Sequence, residues 1–214
     1  MIKKNNKYTY IGGTRFMDHG TRNYDVAGYR LPSVTSILGK TKDDTFLKDW
    51  IARKGKTDLT IKINNIIDTR KTRIIINSDF ISSKLISPFG FHITSQSNIS
   101  GGDAKKKSGA KWISKSIHSQ EELVSNNEDE NINAFIIGTI YSSNSHPNGK
   151  TLGIENFNEL VKLSKKPVIG IGGINIDNIS CVVKAGAKGA ALISDLAFSS
   201  DLQKSISKLK KYYE

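Results

Sequence analysis

One cysteine, Cys181, is all the chain has. No internal disulfide can form, and such sparing use of the thiol predicts a reducing, cytoplasmic setting. No apolar run approaches the roughly 18 residues that cross a bilayer. The basic start, Met1 to Lys7, leads into no apolar stretch, which predicts no secretory leader. The four histidines, His19, His92, His118 and His146, are too scattered for a paired metal motif such as HExxH. No repeat occurs at solenoid spacing. Acidic residues are the scarcer charge, 20 against 32 Lys/Arg, for a net +12. An excess of that size suits nucleic acid. It is uneven, however: residues 1–75 hold 16 basic and 7 acidic side chains, and the remainder 16 and 13. A lysine-rich solvated surface is the favoured account of it, so a nucleic-acid partner is not expected. What is present, 37% hydrophobic residues in a chain of 214 with mean hydropathy −0.36, is enough for one sizeable core or one domain with an appendage.

From Arg73 onward, short apolar runs alternate with helical or polar stretches. Strands are predicted at 73–77, 91–94, 111–116, 134–140, 167–174 and 189–194. Unbroken apolar runs of this kind mark strands covered on both faces, as in parallel sheets. Helices are predicted over 58–68, from Ser119 with a capping box closed by Glu122, and over 154–163, 175–185 and 202–210. Cys181 falls on the predicted apolar stripe of the fourth of these and is expected in the core, with Trp50 and Trp112 as packing residues. Strand and helix in this rhythm predict right-handed βαβ units, in an open sheet or most of a (β/α) barrel. Residues 1–55 differ. Residues 8–11 suit a strand, 24–30 read as loop, and 44–54 as a short helix ending at Gly55. No regular pair of barrel strands is expected before Lys56.

The strongest local signal is Gly172-Gly173 at the end of a predicted strand, followed one unit later by Ile193-Ser194. Paired glycines let backbone amides approach an anion, and a second set of amides completes a phosphate cup. Barrels carry such a pair after their last two strands. A tight turn without ligand is the structural alternative.

These motifs, with Ala185-Gly186-Ala187 between them, resemble the closing motifs of the thiamine phosphate synthase/TenI family. Ile75-Ile76-Asn77, Gly90-Phe91-His92-Ile93, Ser116-Ile117-His118-Ser119-Gln120-Glu121-Glu122 and the segment Gly138 to Gly153 resemble its preceding motifs in order. The resemblance covers about residues 56–214. It implies a phosphate-binding barrel acting on a small-molecule thiazole phosphate. Asn77, Ser116, Ser143, Ser145, His146, Gly172, Gly173, Ile193 and Ser194 would bind the substrate. His118 matches the acid/base of TenI-type thiazole tautomerases, a role that imidazoles suit; a helix-capping or rim role is the alternative. His92 is expected as a satisfied rim residue.

Two departures shape the functional expectation. The synthases hold Mg²⁺ with an Asp after the Asn of the third strand and another past the His of the fourth; here Ser78 and Ser97 stand there. Serines lack the charge that Mg²⁺ prefers. No metal or cofactor is therefore expected, unless synthase activity persists with Mg²⁺. A tautomerase-like activity is favoured over Mg-dependent coupling; the alternatives are an inactive chimeric barrel, or a nucleic-acid-binding fragment acting through the basic N-terminal third. In the first 55 residues, Tyr29 to Leu38, Phe46 to Trp50 and Gly55 resemble the start of RecB-like PD-(D/E)xK exonucleases, without that family's catalytic residues. The expected architecture is thus an α/β, incomplete TIM-type barrel of about six parallel strands over 56–214, behind an irregular segment 1–55. An open sheet of this kind would expose edges and limit solubility. A homo-oligomer is left open.

Overall fold

The computed structural model describes residues 8–12, 28–31, 65, 73–142, 150–192 and 202–212. Six parallel strands appear in the expected order: β3 (Arg73–Asn77), β4 (Gly90–Ile93), β5 (Trp112–Ile117), β6 (Ala134–Ile137), β7 (Val168–Ile171) and β8 (Gly189–Leu192). Each is parallel to the next. Two further strands, β1 (Tyr8–Gly12) and β2 (Gly28–Leu31), complete the circuit, so the barrel is closed rather than incomplete. β1 pairs with β2 and β8, and β2 pairs with β3.

The expectation of no regular strand pair before Lys56 is corrected here, and with it the open edges on which limited solubility was argued. Residues 24–30 read as loop because Gly28-Tyr29-Arg30-Leu31 has no apolar run. Its backbone is nonetheless fixed by parallel partners on both sides. Of the exonuclease-like segment, only Tyr29, Arg30 and Leu31 are described, and they belong to β2. The predicted helices at 58–68 and 44–54, Trp50 and His19 lie outside the described residues, apart from helical Asn65.

Alternation along the strands sorts side chains into two cores. Ile74, Ile76, Phe91, Ile93, Ile113, Ile117, Phe135, Ile137, Val168, Ala190 and Leu192 face outward into the layer under the helices. Ile75, Trp112, Ala134, Ile136, Ile169 and Ala191 form a smaller cluster inside the barrel. Period-two geometry allows no other division. Apolar residues on both faces are why these strands read as continuous runs. Near the N-terminal ends of β4 and β5, Phe89 stacks 6.4 Å from Trp112, and the Arg73 guanidinium lies 4.8 Å from the Phe89 ring. Trp112 is thus a packing residue of the lumen.

The described helices are α1 (Phe80–Ile86), α2 (Gly101–Ser108), α3 (Gln120–Asn126), α4 (Gly153–Leu163), α5 (Ile179–Lys184) and α6 (Leu202–Lys210). α1 and α2 have no counterpart in the sequence reading. Their apolar content is too low for periodicity to reveal them; caps define them instead. Asp79 accepts the amides of Ile81 and Ser82, and Ser100 that of Asp103. Gly109, at φ 70°, ends α2 with its amide on the Lys105 carbonyl. The capping box on α3 forms with a shift: Ser119 Oγ accepts the Glu122 amide, but Glu122 reaches back to the amide of His118, at 2.8 Å. On α5, Ile179 and Val182 are buried, whereas Cys181 is exposed and not in the core. It projects beside the stripe that was expected to bury it. No helix among the described residues is long and apolar enough to cross a membrane.

Candidate functional site at the C-terminal mouth of the barrel

Above the apolar lumen, the inward positions turn polar. Asn77 follows Ile75 on β3, and His92 follows Gly90 on β4. Ser114 and Ser116 follow Trp112 on β5. Register places Asn77 beside His92, and His92 beside Ser114. His92 is fully buried, with Nδ1 2.9 Å from Ser114 Oγ and Nε2 2.8 Å from Ser116 Oγ. It therefore sits deeper than a rim residue, and its ring nitrogens are satisfied. Asn77 is also buried, and among the described residues its Oδ1 has no hydrogen-bond partner. A buried acceptor left unpaired costs about 1–3 kcal/mol, so this atom is an unspent acceptor in the mouth layer.

His118 continues the inward alternation of β5 and is exposed at the mouth. Its Nδ1 lies 2.6 Å from the Gly138 carbonyl oxygen at the end of β6. A carbonyl oxygen can only accept, so Nδ1 carries the hydrogen and donates it. In the neutral ring Nε2 then holds the lone pair, and the backbone of β6 fixes the ring's orientation.

The Gly172-Gly173 turn owes its residue type to close packing as much as to an anion. Gly172 has φ 98° and Gly173 φ 61°. A Cβ on Gly172 would lie 2.5 Å from Thr139 Cγ2, and one on Gly173 2.6 Å from the Tyr141 carbonyl oxygen. The β6–β7 pairing runs on past the strands into this turn: Ile140 and Tyr141 donate to the carbonyls of Ile171 and Gly172 at 3.0 and 3.1 Å. Asn178 Nδ2 holds the Gly173 carbonyl at 3.0 Å. Tyr141 is packed against the outer core, and this burial, followed by the nearby Cys181 thiol, raises its phenol above the ordinary value.

Ser78 and Asp79 stand where the family resemblance would look for a metal ligand. Ser78, at φ 54°, donates through Oγ to the His92 carbonyl at 2.9 Å and accepts the Thr94 amide at 3.2 Å. It ties β3 to β4. The Asp79 carboxylate turns back onto α1, taking the amides of Ile81 and Ser82 and, at 2.9 Å, the Ser82 hydroxyl. Among the described residues, no three His, Cys, Asp or Glu side chains gather as a metal ion would require. The residues at the matching positions do not fit Mg²⁺: two hydroxyls and a carboxylate already engaged as a cap make a poor hard-ion donor set.

Of the predicted site residues, the fold brings Asn77, Ser116, His118, Gly172 and Gly173 to one end of the barrel. Ser143, Ser145, His146, Ile193 and Ser194 lie outside the described residues. Sequence reasoning overlooked Ser114 and the Gly138 carbonyl and gave His92 only a rim role. The period-two series Trp112, Ser114, Ser116, His118 carried a signal for the first: polar residues on the inward face of an otherwise apolar strand.

A closed parallel barrel whose helices follow its strands, with polar side chains at the C-terminal end, defines a (β/α)₈-barrel protein. The chain belongs to the thiamine monophosphate synthase (TMP-TENI) family, whose model matches residues 48–196. It is 30% identical over 134 residues to a thiamine-phosphate synthase of Leuconostoc citreum, covering 62% of this chain and 63% of that one. The chain thus spans a little under two thirds of that relative's length. A thiamine phosphate pyrophosphorylase structure from Pyrococcus furiosus superposes with a TM-score of 0.72 at 18% identity, covering 98% of this chain and 96% of that one. A 3-hexulose-6-phosphate synthase from Salmonella typhimurium superposes at 0.65 with 10% identity, covering 96% of this chain and 98% of that one. At such identities the likeness is one of fold, and the fold hosts different reactions.

Proposed function

We propose that the chain binds a thiazole phosphate at the barrel mouth and catalyses a proton shift on it, as a tautomerase of the TenI type. The observation that carries this reading is the 2.6 Å contact between His118 Nδ1 and the Gly138 carbonyl. It commits Nδ1 to donation and leaves Nε2 to take a proton from one ring position and return it at another. Nothing is oxidised, and no group leaves. The phosphate would sit on backbone amides around Gly172-Gly173 and the Ile193-Ser194 segment. Asn77, Ser116, Ser143, Ser145 and His146 are proposed around the ring and phosphate.

Mg-dependent coupling of a pyrimidine pyrophosphate asks for more. A departing pyrophosphate needs its developing charge met, and Ser78 and Asp79 are engaged elsewhere. The decisive experiment assays both reactions side by side with the full chain and its His118→Asn variant. Thiazole isomerisation is expected from the native chain and a loss of about 10²-fold or more from the variant, in line with the usual contribution of one acid/base group. Robust thiamine phosphate formation with Mg²⁺ would overturn the reading. So would isomerisation indifferent to His118→Asn. Binding of thiazole phosphate with neither reaction would reduce the protein to a binder.

A further inference from the structure

The Ser114–His92–Ser116 line can be read further, because one of its hydroxyls has no choice. Ser114 is fully buried. Among the described residues its Oγ has no hydrogen-bonding partner except His92 Nδ1, at 2.9 Å. A buried hydroxyl must place its hydrogen on an acceptor or lose the worth of a hydrogen bond. The acceptor within reach is Nδ1, so Ser114 donates and Nδ1 accepts. In a neutral imidazole the other nitrogen then carries the hydrogen. Nε2–H points at Ser116 Oγ, 2.8 Å away, and Ser116 accepts it. The Ser116 hydrogen is thereby turned away from the histidine, toward the mouth that this half-buried side chain borders.

We propose that His92 is a positioning residue, held as its Nε2–H tautomer by Ser114, and that it makes Ser116 a hydrogen-bond donor to the bound ligand. The ligand atom that meets Ser116 is therefore an acceptor, an anionic oxygen or an unprotonated ring nitrogen. Next to His92 in register, Asn77 Oδ1 has the opposite polarity and takes a ligand N–H or O–H. The mouth then reads one donor beside one acceptor, a polarity set from beneath by a serine that no ligand touches. His118 has the reverse tautomer, imposed by the Gly138 carbonyl. The two rings differ in a way one spectrum can display.

The polarity of the ligand contact rests on the function proposed above; the tautomer itself does not. The test is long-range ¹H–¹⁵N NMR of the full chain near pH 8, where histidines are ordinarily neutral. The substitutions His19→Gln, His118→Asn and His146→Gln assign His92 by elimination. The expected result is a protonated Nε2 and an unprotonated Nδ1 for His92, with His118 showing the reverse. Ser114→Ala should shift His92 toward Nδ1–H or a mixture and weaken thiazole phosphate binding in calorimetry about three- to ten-fold, a modest fraction of one hydrogen bond. An Nδ1–H signal for His92 in the native chain would overturn the proposal. So would a His92 spectrum unmoved by Ser114→Ala. If thiazole phosphate failed to bind while His92 showed Nε2–H, the tautomer assignment would be supported, and the function proposed above would fall.

Discussion

At the scale of single residues, the site is a matter of which polar atoms are already engaged. Asn77 Oδ1 is buried and, among the described residues, unpaired. Its cost in the free protein should disappear when the side chain becomes an apolar one of like shape. Asn77→Leu is therefore expected to leave the melting temperature unchanged or raise it, by the equivalent of about 1 kcal/mol, while weakening thiazole phosphate. A variant destabilised by more than about 1 kcal/mol in urea would show that Asn77 supports the fold. Tyr141 gives a pH signature. Burial raises its phenol above the usual value of about 10. A raised folded value means that the neutral form is favoured in the fold. The stabilisation is thus complete below the ordinary tyrosine value and is lost as pH rises through the folded one. An absorbance titration of Tyr141→Phe should lose one tyrosine that ionises above the ordinary value. An unchanged titration curve would contradict this.

At the scale of elements, caps and close approaches matter more than propensity. α1 and α2 were invisible to periodicity, yet each is begun by a side chain that accepts the orphan amides of its first turn. Asp79→Ala should cost about 1 kcal/mol, and up to about 2, in stability. It should leave metal dependence untouched, because the carboxylate serves the helix. New or lost Mg²⁺ dependence in that variant would reinstate Asp79 as a ligand. The glycine turn makes a sharper case. From the sequence alone, Gly172-Gly173 serves to bring backbone amides close to an anion. The structure shows that even Gly173→Ala drives Cβ into the backbone of Tyr141 and Ser142. Gly173→Ala is therefore expected to destabilise the chain by about 1–3 kcal/mol through strain and overpacking, with or without phosphate present. Equal stability, with lost phosphate binding alone, would restore the simpler anion reading. Phe157 on α4, fully buried, marks the ordinary core: Phe157→Ala should cost about 3–5 kcal/mol in denaturant unfolding.

At the scale of the whole molecule, closure decides what the chain is. β1 and β2 close the circuit between β3 and β8. Deleting residues 1–31 would leave those two strands with unpaired edges, a template for association. The truncated chain is expected to aggregate or lose cooperative unfolding by circular dichroism and light scattering; a stable, monomeric truncation would show closure to be dispensable. By itself, the sequence determined the six strands from Arg73 to Leu192 and their parallel order, because residues buried on both faces must be apolar without a break. It also determined the family, through motifs whose spacing follows one strand and one helix at a time. It could not determine β1 and β2 as a pair, since Gly28 to Leu31 has too few residues and too little apolar content to declare a strand without its neighbours. Nor could it show that Asp79 is turned into a cap, that Gly173 lies against the Tyr141 backbone, or that His92 stands between two serines. Each of those depends on atoms that distant parts of the chain bring within hydrogen-bonding or van der Waals distance, and only the closed barrel sets those distances.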